Sequence, residues 1–170
     1  MNLNVVLYEP EIPANTGNIM RTCVATNTNL HLIKPLGFSL EDKYIKRCGV
    51  NYIDKCKYFV YENIDEFFEK NKNGSYYFFT RYGHKPHTSF DYSKEENIYL
   101  VFGKESTGIP PSILKPHLDK CIRIPMTDGV RALNLSNTVC VGVYEVLRQK
   151  NYEGLLFDEP HKGKDYIEKN

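Results

Sequence analysis

Residues 122–149 have the sequence IRIPMTDGVRALNLSNTVCVGVYEVLRQ, in which a polar segment separates a short apolar run from a longer one. The first run predicts the end of a buried strand, and the second predicts a helix that is apolar nearly all round over residues 139–147. A surface helix would carry a charged face opposite its apolar stripe. We therefore expect this helix to be covered on two sides, by its own core and by a second subunit.

The polar segment carries side chains that are costly to bury, because each buried donor or acceptor must find a partner. They are Thr127, Asp128, Gly129, Arg131, Asn134, Ser136 and Asn137. Asn134 or Ser136 can cap the following helix by accepting hydrogen bonds from its first N–H groups. Capping does not account for Arg131 and Asn137, so we expect the segment to hold a ligand.

Length and composition favour one globular domain. The chain has 170 residues, of which 41% are apolar and 25% charged, enough for a sizeable core. A net charge of +1 argues against bulk attraction to nucleic acid but leaves room for a local basic patch. The 5 cysteines, an odd number without C-x-x-C spacing, indicate reduced thiols in a cytoplasmic protein. Neither a signal peptide nor a membrane span is expected.

Strand-like and helix-like segments alternate along the chain. Strands are predicted at residues 3–8, 30–34, 57–61, 76–80, 98–102 and 121–124. Helices are predicted after a cap at Asn15 or Thr16, at residues 41–48, 64–72 and 110–116, and at the end of the opening stretch. This order predicts an α/β fold, a mostly parallel sheet with helices on both faces. We expect one domain over residues 1–155 and a polar tail over residues 156–170.

Four polar loops follow predicted strands, at residues 10–18, 81–91, 103–108 and 125–137. Parallel strands end at one edge of a sheet, where ligands of such folds bind, so these loops should gather there. Residues 81–97 are too long for a simple connection and form a candidate functional loop.

Two of these loops allow more than one interpretation. Asn15–Asn18 with Arg21 can bind an anion at a helix start, or it is a capped helix with a solvated arginine. The run from Gly103 to Gly108 can wrap a ligand, or it is an ordinary strand-to-helix turn. It has neither the Walker A order nor a G-x-G-x-x-G spacing. No metal site is expected, because His84 and His87 have no third ligand near them in the sequence.

Together, three segments resemble the motifs of the SPOUT superfamily of RNA methyltransferases. They are PEIPANTGNIMRTC, LVFGKESTGIP and the opening stretch, and the resemblance covers residues 3–150. Within SPOUT the chain is most similar to small bacterial enzymes that methylate the ribose 2′-hydroxyl of the tRNA wobble nucleotide, a cytidine or modified uridine. The resemblance implies a C-terminal trefoil knot, S-adenosylmethionine as cofactor, tRNA as substrate and a homodimer formed by the first and last helices.

The resemblance also assigns roles to individual residues. Asn18, Arg21, Arg131 and Tyr144 match catalytic positions, with Asn18 and Arg21 on the RNA side and Tyr144 near the subunit boundary. Cofactor binding is implied for Phe79, Gly103, Glu105, Ile124, Ala132, Asn134, Ser136 and Asn137. One position departs from the pattern, since similar enzymes carry serine where Ala132 stands. If the cofactor contact uses that hydroxyl, affinity is lower in this chain.

Two other functions remain open on the sequence. The first is a SPOUT 2′-O-methyltransferase acting on another RNA, such as rRNA. The second is a non-catalytic RNA-binding dimer, which the presence of Asn18, Arg21 and Asn137 disfavours.

Overall fold

In the described part of the chain, seven strands form one sheet in which all the paired strands run parallel. The computed structural model describes residues 1–41 and 53–169. The strands are β1 (Asn2–Tyr8), β2 (Asn29–Ile33), β3 (Tyr58–Tyr61), β4 (Ser75–Phe79), β5 (Lys85–Pro86), β6 (Asn97–Phe102) and β7 (Cys121–Arg123), in the spatial order β3-β2-β1-β6-β4-β7-β5. The predicted parallel sheet is confirmed.

Helices cover both faces of this sheet. They are α1 (Pro13–Ala25), α2 (Ile64–Lys70), α3 (Pro111–Leu114) and α4 (Leu135–Gln149), with 3-10 turns at Ile53–Lys55 and Lys115–Lys120. A further short helix, α5 (Tyr166–Lys169), buries none of its residues. The helix predicted at residues 110–116 is shorter than expected, because Pro116 has no N–H with which to continue an α-helix. The helix predicted at residues 41–48 lies outside the described residues, apart from Glu41.

Two apolar clusters form the core, one on each sheet face. The first packs α1 and α4 against the sheet through Ile19, Met20, Val139 and Val143. The second packs α2 and α3 on the opposite face and includes Phe67 and Leu114. The central strands β1 and β6 are buried on both faces, which accounts for their nearly continuous apolar runs.

The start of α1 differs from the prediction. Neither Asn15 nor Thr16 caps the helix, which begins at Pro13 after Ile12, with no side-chain cap from its own segment. Proline is well tolerated in the first turn, where its missing N–H costs no hydrogen bond. The N–H groups of Glu11 and Ile12 instead donate to the Glu105 carboxylate, at 2.9 and 3.2 Å. Glu105, in a loop about ninety residues away, thus holds the two residues that precede the helix, and a local sequence pattern does not show this contact.

The connection between β4 and β6 packs against the end of α4. Gln149 accepts a hydrogen bond from the Tyr92 N–H at 2.8 Å and donates to the Phe90 carbonyl at 3.0 Å. Lys150 donates to the Ser93 carbonyl at 2.6 Å. The short strand β5 lies in this connection, which the sequence predicted as a loop throughout.

None of the helices in the described parts of the chain combines the length and apolarity needed to cross a membrane.

Candidate active site

A cavity of about 940 Å³ opens at the carboxyl edge of the sheet, beyond the ends of β4, β6 and β7. Its walls come from the start of α1, the turn after β4, the loop after β6 and the segment between β7 and α4. The predicted gathering of the four polar loops at one edge is confirmed. This cavity is large enough for a ligand of nucleoside size.

Two stacked aromatic rings form part of the cavity wall. Phe79 and Phe102 end adjacent strands, and their ring centroids lie 4.5 Å apart with an interplanar angle of 22°. Gly142 of α4 packs behind Phe79, and a Cβ at that glycine would lie 2.7 Å from Phe79 Cζ. The helix therefore approaches the cavity wall closely only because residue 142 is glycine.

The loop after β6 turns back on itself at the cavity wall. The Gly108 N–H donates to the Lys104 carbonyl at 2.9 Å, and Gly108 has a φ of 74° that favours glycine. A Cβ on Gly103 would lie 2.2 Å from the Gly108 carbonyl carbon. The two glycines close a tight loop that presents backbone to the cavity, as a ligand-wrapping loop requires.

This loop is fastened to the segment after β1 by three consecutive residues. Lys104 pairs with Glu9 at 2.7 Å, and Ser106 donates its N–H and its hydroxyl to Glu11, both at 2.8 Å. Glu105 accepts from the two backbone N–H groups at the start of α1 and from Asn15 Nδ2 at 2.9 Å. We call these contacts the loop brace. It fixes the start of α1 against the cavity.

Hydrogen bonds within the loop brace favour the charged forms of Glu9, Glu11 and Lys104. Burial alone would raise the pKa of Glu9, but hydrogen bonds from Lys104 and Tyr8 outweigh it, and the pKa lies below its usual value. The hydrogen bond to Glu9 raises the pKa of Lys104. Hydrogen bonds from Ser106 lower the pKa of Glu11. Glu9, Glu11 and Lys104 are therefore all ionised at neutral pH.

Asn134 connects the third motif to the same group. Its Nδ2 donates to Asn15 Oδ1 at 3.0 Å, while its Oδ1 accepts from the Ser136 N–H at 2.9 Å and from the Ser136 hydroxyl at 2.7 Å. The predicted cap of α4 is confirmed and is Asn134. A chain of hydrogen bonds thus runs from Glu105 through Asn15 to Asn134 and joins all three motifs.

The structure brings most of the predicted site residues to the cavity. Those that line it are Phe79, Gly103, Glu105, Ile124, Arg131, Ala132 and Asn134. Ser136 adjoins it through its hydrogen bond to Asn134. Asn137 is exposed on the first turn of α4 and is not part of the described lining.

Asn18, Arg21 and Tyr144 lie elsewhere. All three are exposed on the outer faces of α1 and α4, two helices that pack on the same side of the sheet, and they are outside the described lining of the cavity. Asn137, Val141 and Tyr144 follow one another along a single stripe of α4, with Val141 38% and Tyr144 43% exposed. Among the residues that the structure describes, the core covers one side of α4 and leaves this stripe exposed.

Sequence reasoning missed several residues at the site. Glu9 and Glu11 act through partners 95 residues away, so no local signal reveals them. Thr80, Arg81 and Tyr82 also line the cavity. Arg81 and Tyr82 belong to the candidate functional loop of residues 81–97, whereas Thr80 was predicted to end a strand. Arg81, Arg123 and Arg131 place positive charge around the cavity. Among the described residues, no cluster of His, Cys, Asp and Glu is arranged to hold a metal ion.

Comparison with known proteins places this site in a family. A relative from Bacillus subtilis (strain 168) is 53% identical over 154 residues, which cover 90% of this chain and 96% of the relative. The tRNA (cytidine(34)-2′-O)-methyltransferase of Escherichia coli (strain K12) is 42% identical, over 91% of this chain and 98% of its own length. The Bacillus subtilis protein carries a provisional form of that same name.

Solved structures agree with this placement. A structure concerned with 2-OH methylation of C/U34 on tRNA is 36% identical, has a TM-score of 0.83 and covers 89% of this chain and 97% of its own. An AdoMet-bound rRNA methyltransferase from Sinorhizobium meliloti shares the fold at 21% identity and a TM-score of 0.78, over 86% of this chain and 56% of that one. Residues 2–144 match the SpoU rRNA Methylase family. The chain belongs to the SpoU methylase family.

Proposed function

We propose that this protein methylates the ribose 2′-hydroxyl of the wobble nucleotide, a cytidine or modified uridine, in the anticodon loop of tRNA. The observation that carries the proposal is the convergence of all three motifs on one cavity at the carboxyl edge of the sheet. The 42% identity to the Escherichia coli enzyme, which spans 98% of that enzyme's length, supports the same substrate.

The cavity suits S-adenosylmethionine as the methyl donor. It has the volume, an aromatic wall at Phe79 and Phe102, and the turned-back loop at Gly103 that can hydrogen bond with backbone groups. When bound, this cofactor supplies a methyl group activated by attachment to a positively charged sulfur. Phe79, Gly103, Ile124 and Ala132 would hold it directly.

The other residues that resemblance assigns to the cofactor have a second role here. Glu105 is occupied by the start of α1, and Asn134 and Ser136 by the start of α4. We propose that these side chains shape the cofactor pocket by fixing its loops. Asn137, exposed on the first turn of α4, would reach the cofactor only at the edge of the cavity.

The cofactor, held by Phe79, Gly103, Ile124 and Ala132, would supply the methyl group that the ribose 2′-oxygen gains, and the carbon–sulfur bond would be the bond that breaks. The hydroxyl proton would pass to solvent. The leaving group of this cofactor would be neutral, so alignment of the acceptor is the main requirement on the protein and can supply up to ~7–11 kcal/mol. We propose that Arg21 stabilises the developing negative charge on the 2′-oxygen, directly or through a neighbouring phosphate. An arginine remains protonated and is therefore not the base. Asn18 and Arg131 would help to position the acceptor.

Because Arg21 lies outside the cavity lining of its own chain, the proposed function calls for a homodimer. The outer faces of α1 and α4 would form the interface, which covers Val141 and brings Tyr144 to the subunit boundary. Such a dimer would place the α1 helix of one protomer near the cavity of its partner. The partner subunit would also bury the apolar residues of α4 that the core of the same chain leaves exposed.

We further propose that the chain forms a trefoil knot, in which β7 and α4 pass through the connection between β4 and β6. The hydrogen bonds of Gln149 and Lys150 to residues 90–95 support this arrangement, because they place the end of α4 against that connection. Because the proposed substrate is tRNA, we also propose that the protein works in the cytoplasm.

Ribosomal RNA is the second candidate substrate, since the matching family is described as one of rRNA methylases. The test uses purified protein with S-adenosylmethionine labelled in its methyl group. Bulk tRNA and rRNA, each from a strain that lacks the corresponding gene, are offered separately. We expect label in tRNA only. Label confined to rRNA would replace the proposed substrate, and label in neither would support a non-catalytic protein.

A further inference from the structure

The turn that follows β4 is held rigidly beside the cavity. The Gly83 N–H donates to the Thr80 carbonyl at 3.2 Å, and the Tyr82 N–H lies 3.3 Å from Thr80 Oγ1. These contacts define a β-turn whose two central residues are Arg81 and Tyr82.

Strand β7 anchors both ends of this turn. The Thr80 N–H donates to the Ile122 carbonyl at 2.9 Å, and the Arg123 guanidinium donates to the Arg81 carbonyl at 2.5 Å. A Cβ on Gly83 would lie 2.6 Å from the Ile122 carbonyl carbon, so the turn lies directly against β7. The position of the turn relative to the cavity is therefore fixed by the sheet.

The turn presents an aromatic ring and a guanidinium to solvent. Tyr82 is 63% exposed although it lines the cavity, which places it at the mouth. The Arg81 guanidinium carbon lies 4.7 Å from the centroid of the Tyr82 ring, and Arg81 also donates to the Tyr82 hydroxyl. These contacts hold the two side chains together, and both are exposed to solvent.

We propose that Arg81 and Tyr82 form a stacking platform for an unpaired base of the RNA loop that delivers its ribose to the cavity. Tyrosine rings and arginine guanidinium planes are the groups on which proteins stack splayed-out bases. Arg123 and Arg131, which line the same cavity, add positive charge for the adjoining phosphates. The inference rests on the proposed function and names the residues that hold the substrate loop.

The exposure of the platform favours RNA over the methyl donor as its ligand. Phe79, Phe102 and Ile122 are nearly or fully buried and supply an apolar lining for a small ligand. Tyr82 lies on the solvent side of that lining, where a macromolecule approaches. A base stacked there leaves the interior of the cavity to the donor and the reacting ribose.

The test compares Tyr82→Ala, Tyr82→Phe and Arg81→Ala with the wild-type enzyme. We expect Tyr82→Ala to raise the KM for tRNA about tenfold, the typical loss for one stacked base. Tyr82→Phe keeps the ring and should stay near wild type, and Arg81→Ala should weaken tRNA binding and its salt dependence. The matched control is Tyr58→Ala, which removes a 39% exposed tyrosine at the opposite edge of the sheet.

Calorimetric titration with S-adenosylmethionine separates the two ligands, and thermal unfolding verifies that each variant is folded. An unchanged KM and Kd for tRNA in folded Tyr82→Ala would overturn the platform, even if the wild-type enzyme methylates tRNA. A loss confined to S-adenosylmethionine binding would also overturn it, because Tyr82 would then serve the donor. Wild-type protein that fails to methylate tRNA would instead overturn the proposed function itself.

Discussion

Arg21 is the single residue on which the proposed chemistry depends most. Its replacement by alanine should lower kcat by roughly 10²–10³-fold, the usual effect of removing one transition-state stabiliser. Binding of S-adenosylmethionine should stay close to wild type, because Arg21 lies outside the described cavity lining. Single-turnover methyl transfer and calorimetric titration measure the two effects separately.

Lys70→Ala is the control for this variant, since it removes an exposed cation from α2 on the opposite face of the sheet. Arg21→Lys retains the charge without the planar fork and should recover part of the lost rate. Wild-type turnover by Arg21→Ala would remove Arg21 from the catalytic role.

His31 makes the stability of the fold depend on pH. Burial lowers the pKa of His31 to about 4, because the imidazolium would lose its hydration. Asn4 Oδ1 can only accept, so His31 Nε2 carries the hydrogen in that 3.2 Å contact, and Nδ1 accepts from the Tyr61 hydroxyl at 2.8 Å. With one ring nitrogen donating and the other accepting, these contacts fit the neutral form of His31.

The sign of the effect follows from the unfolded chain, where histidine titrates near pH ~6.5. Above that pH the contribution is fully present. As the pH falls from ~6.5 toward 4, His31 becomes protonated in the unfolded chain but stays neutral in the folded chain. The free energy of unfolding therefore falls by on the order of 3 kcal/mol. Urea unfolding at pH 7 and pH 5 should show lower stability at pH 5. The difference should shrink in His31→Gln and persist in His161→Gln, and an equal difference in all three proteins would contradict the assignment.

At the scale of the elements, the loop brace connects the cavity to the start of α1. Glu105→Gln keeps the shape of the side chain but places an amide N–H₂ where donors now point, so at least one of three hydrogen bonds is lost. We expect a loss of about 1–3 kcal/mol in the free energy of unfolding. Faster hydrogen exchange at the first turn of α1 should accompany it. Weaker S-adenosylmethionine binding with unchanged stability and exchange would assign Glu105 to the cofactor alone.

The close approach of α4 to β4 gives a second test at this scale. A Cβ at residue 142 would lie 2.7 Å from the Phe79 ring, so Gly142→Ala should push that ring into the cavity. We expect about 1–3 kcal/mol of destabilisation from overpacking and weaker cofactor binding. Adding Phe79→Leu should recover part of the loss, because the smaller side chain makes room. Purely additive effects in the double variant would show that the two residues do not interfere.

The helices and strands differ in how well the sequence predicted them. Alternating apolar runs predicted the parallel sheet, the helices on both faces and the edge at which the loops gather, because these patterns repeat along several residues. The start of α1 was misplaced, since the helix begins directly after Glu11 and Ile12, whose N–H groups donate to Glu105 of a distant loop. Strand β5 was missed because it is only two residues long and contains Pro86.

Some residues of the candidate site were predicted from the sequence and others were missed. Motif resemblance predicted Phe79, Gly103, Ile124 and Ala132, all of which line the cavity. The loop brace partners Glu9 and Glu11 were missed, because side-chain pairing across 95 residues leaves no trace in local spacing. A sequence pattern predicts which helix, strand or loop a residue belongs to. The contacts between two loops depend on how the helices and strands pack in three dimensions.

At the scale of the whole molecule, the proposed dimer predicts that charge on the outer face of α4 separates the subunits. Val141→Lys should give a monomer in sedimentation, lose methyl transfer and keep a folded core, because Val141 is 38% exposed in the chain. Val60→Lys is the matched control, with 37% exposure on β3 at the sheet edge. A Val141→Lys protein that sediments like wild type would place the interface elsewhere.

The central claim is that the acceptor is the ribose 2′-hydroxyl of one nucleotide in the anticodon loop. The most direct measurement offers the purified enzyme two synthetic anticodon stem-loops that differ only in a hydroxyl or a hydrogen at the 2′ position of the wobble cytidine. We predict methyl transfer to the first and none to the second, with equal binding of both. Equal methylation of the two stem-loops, or methyl at any other nucleotide, would contradict the account.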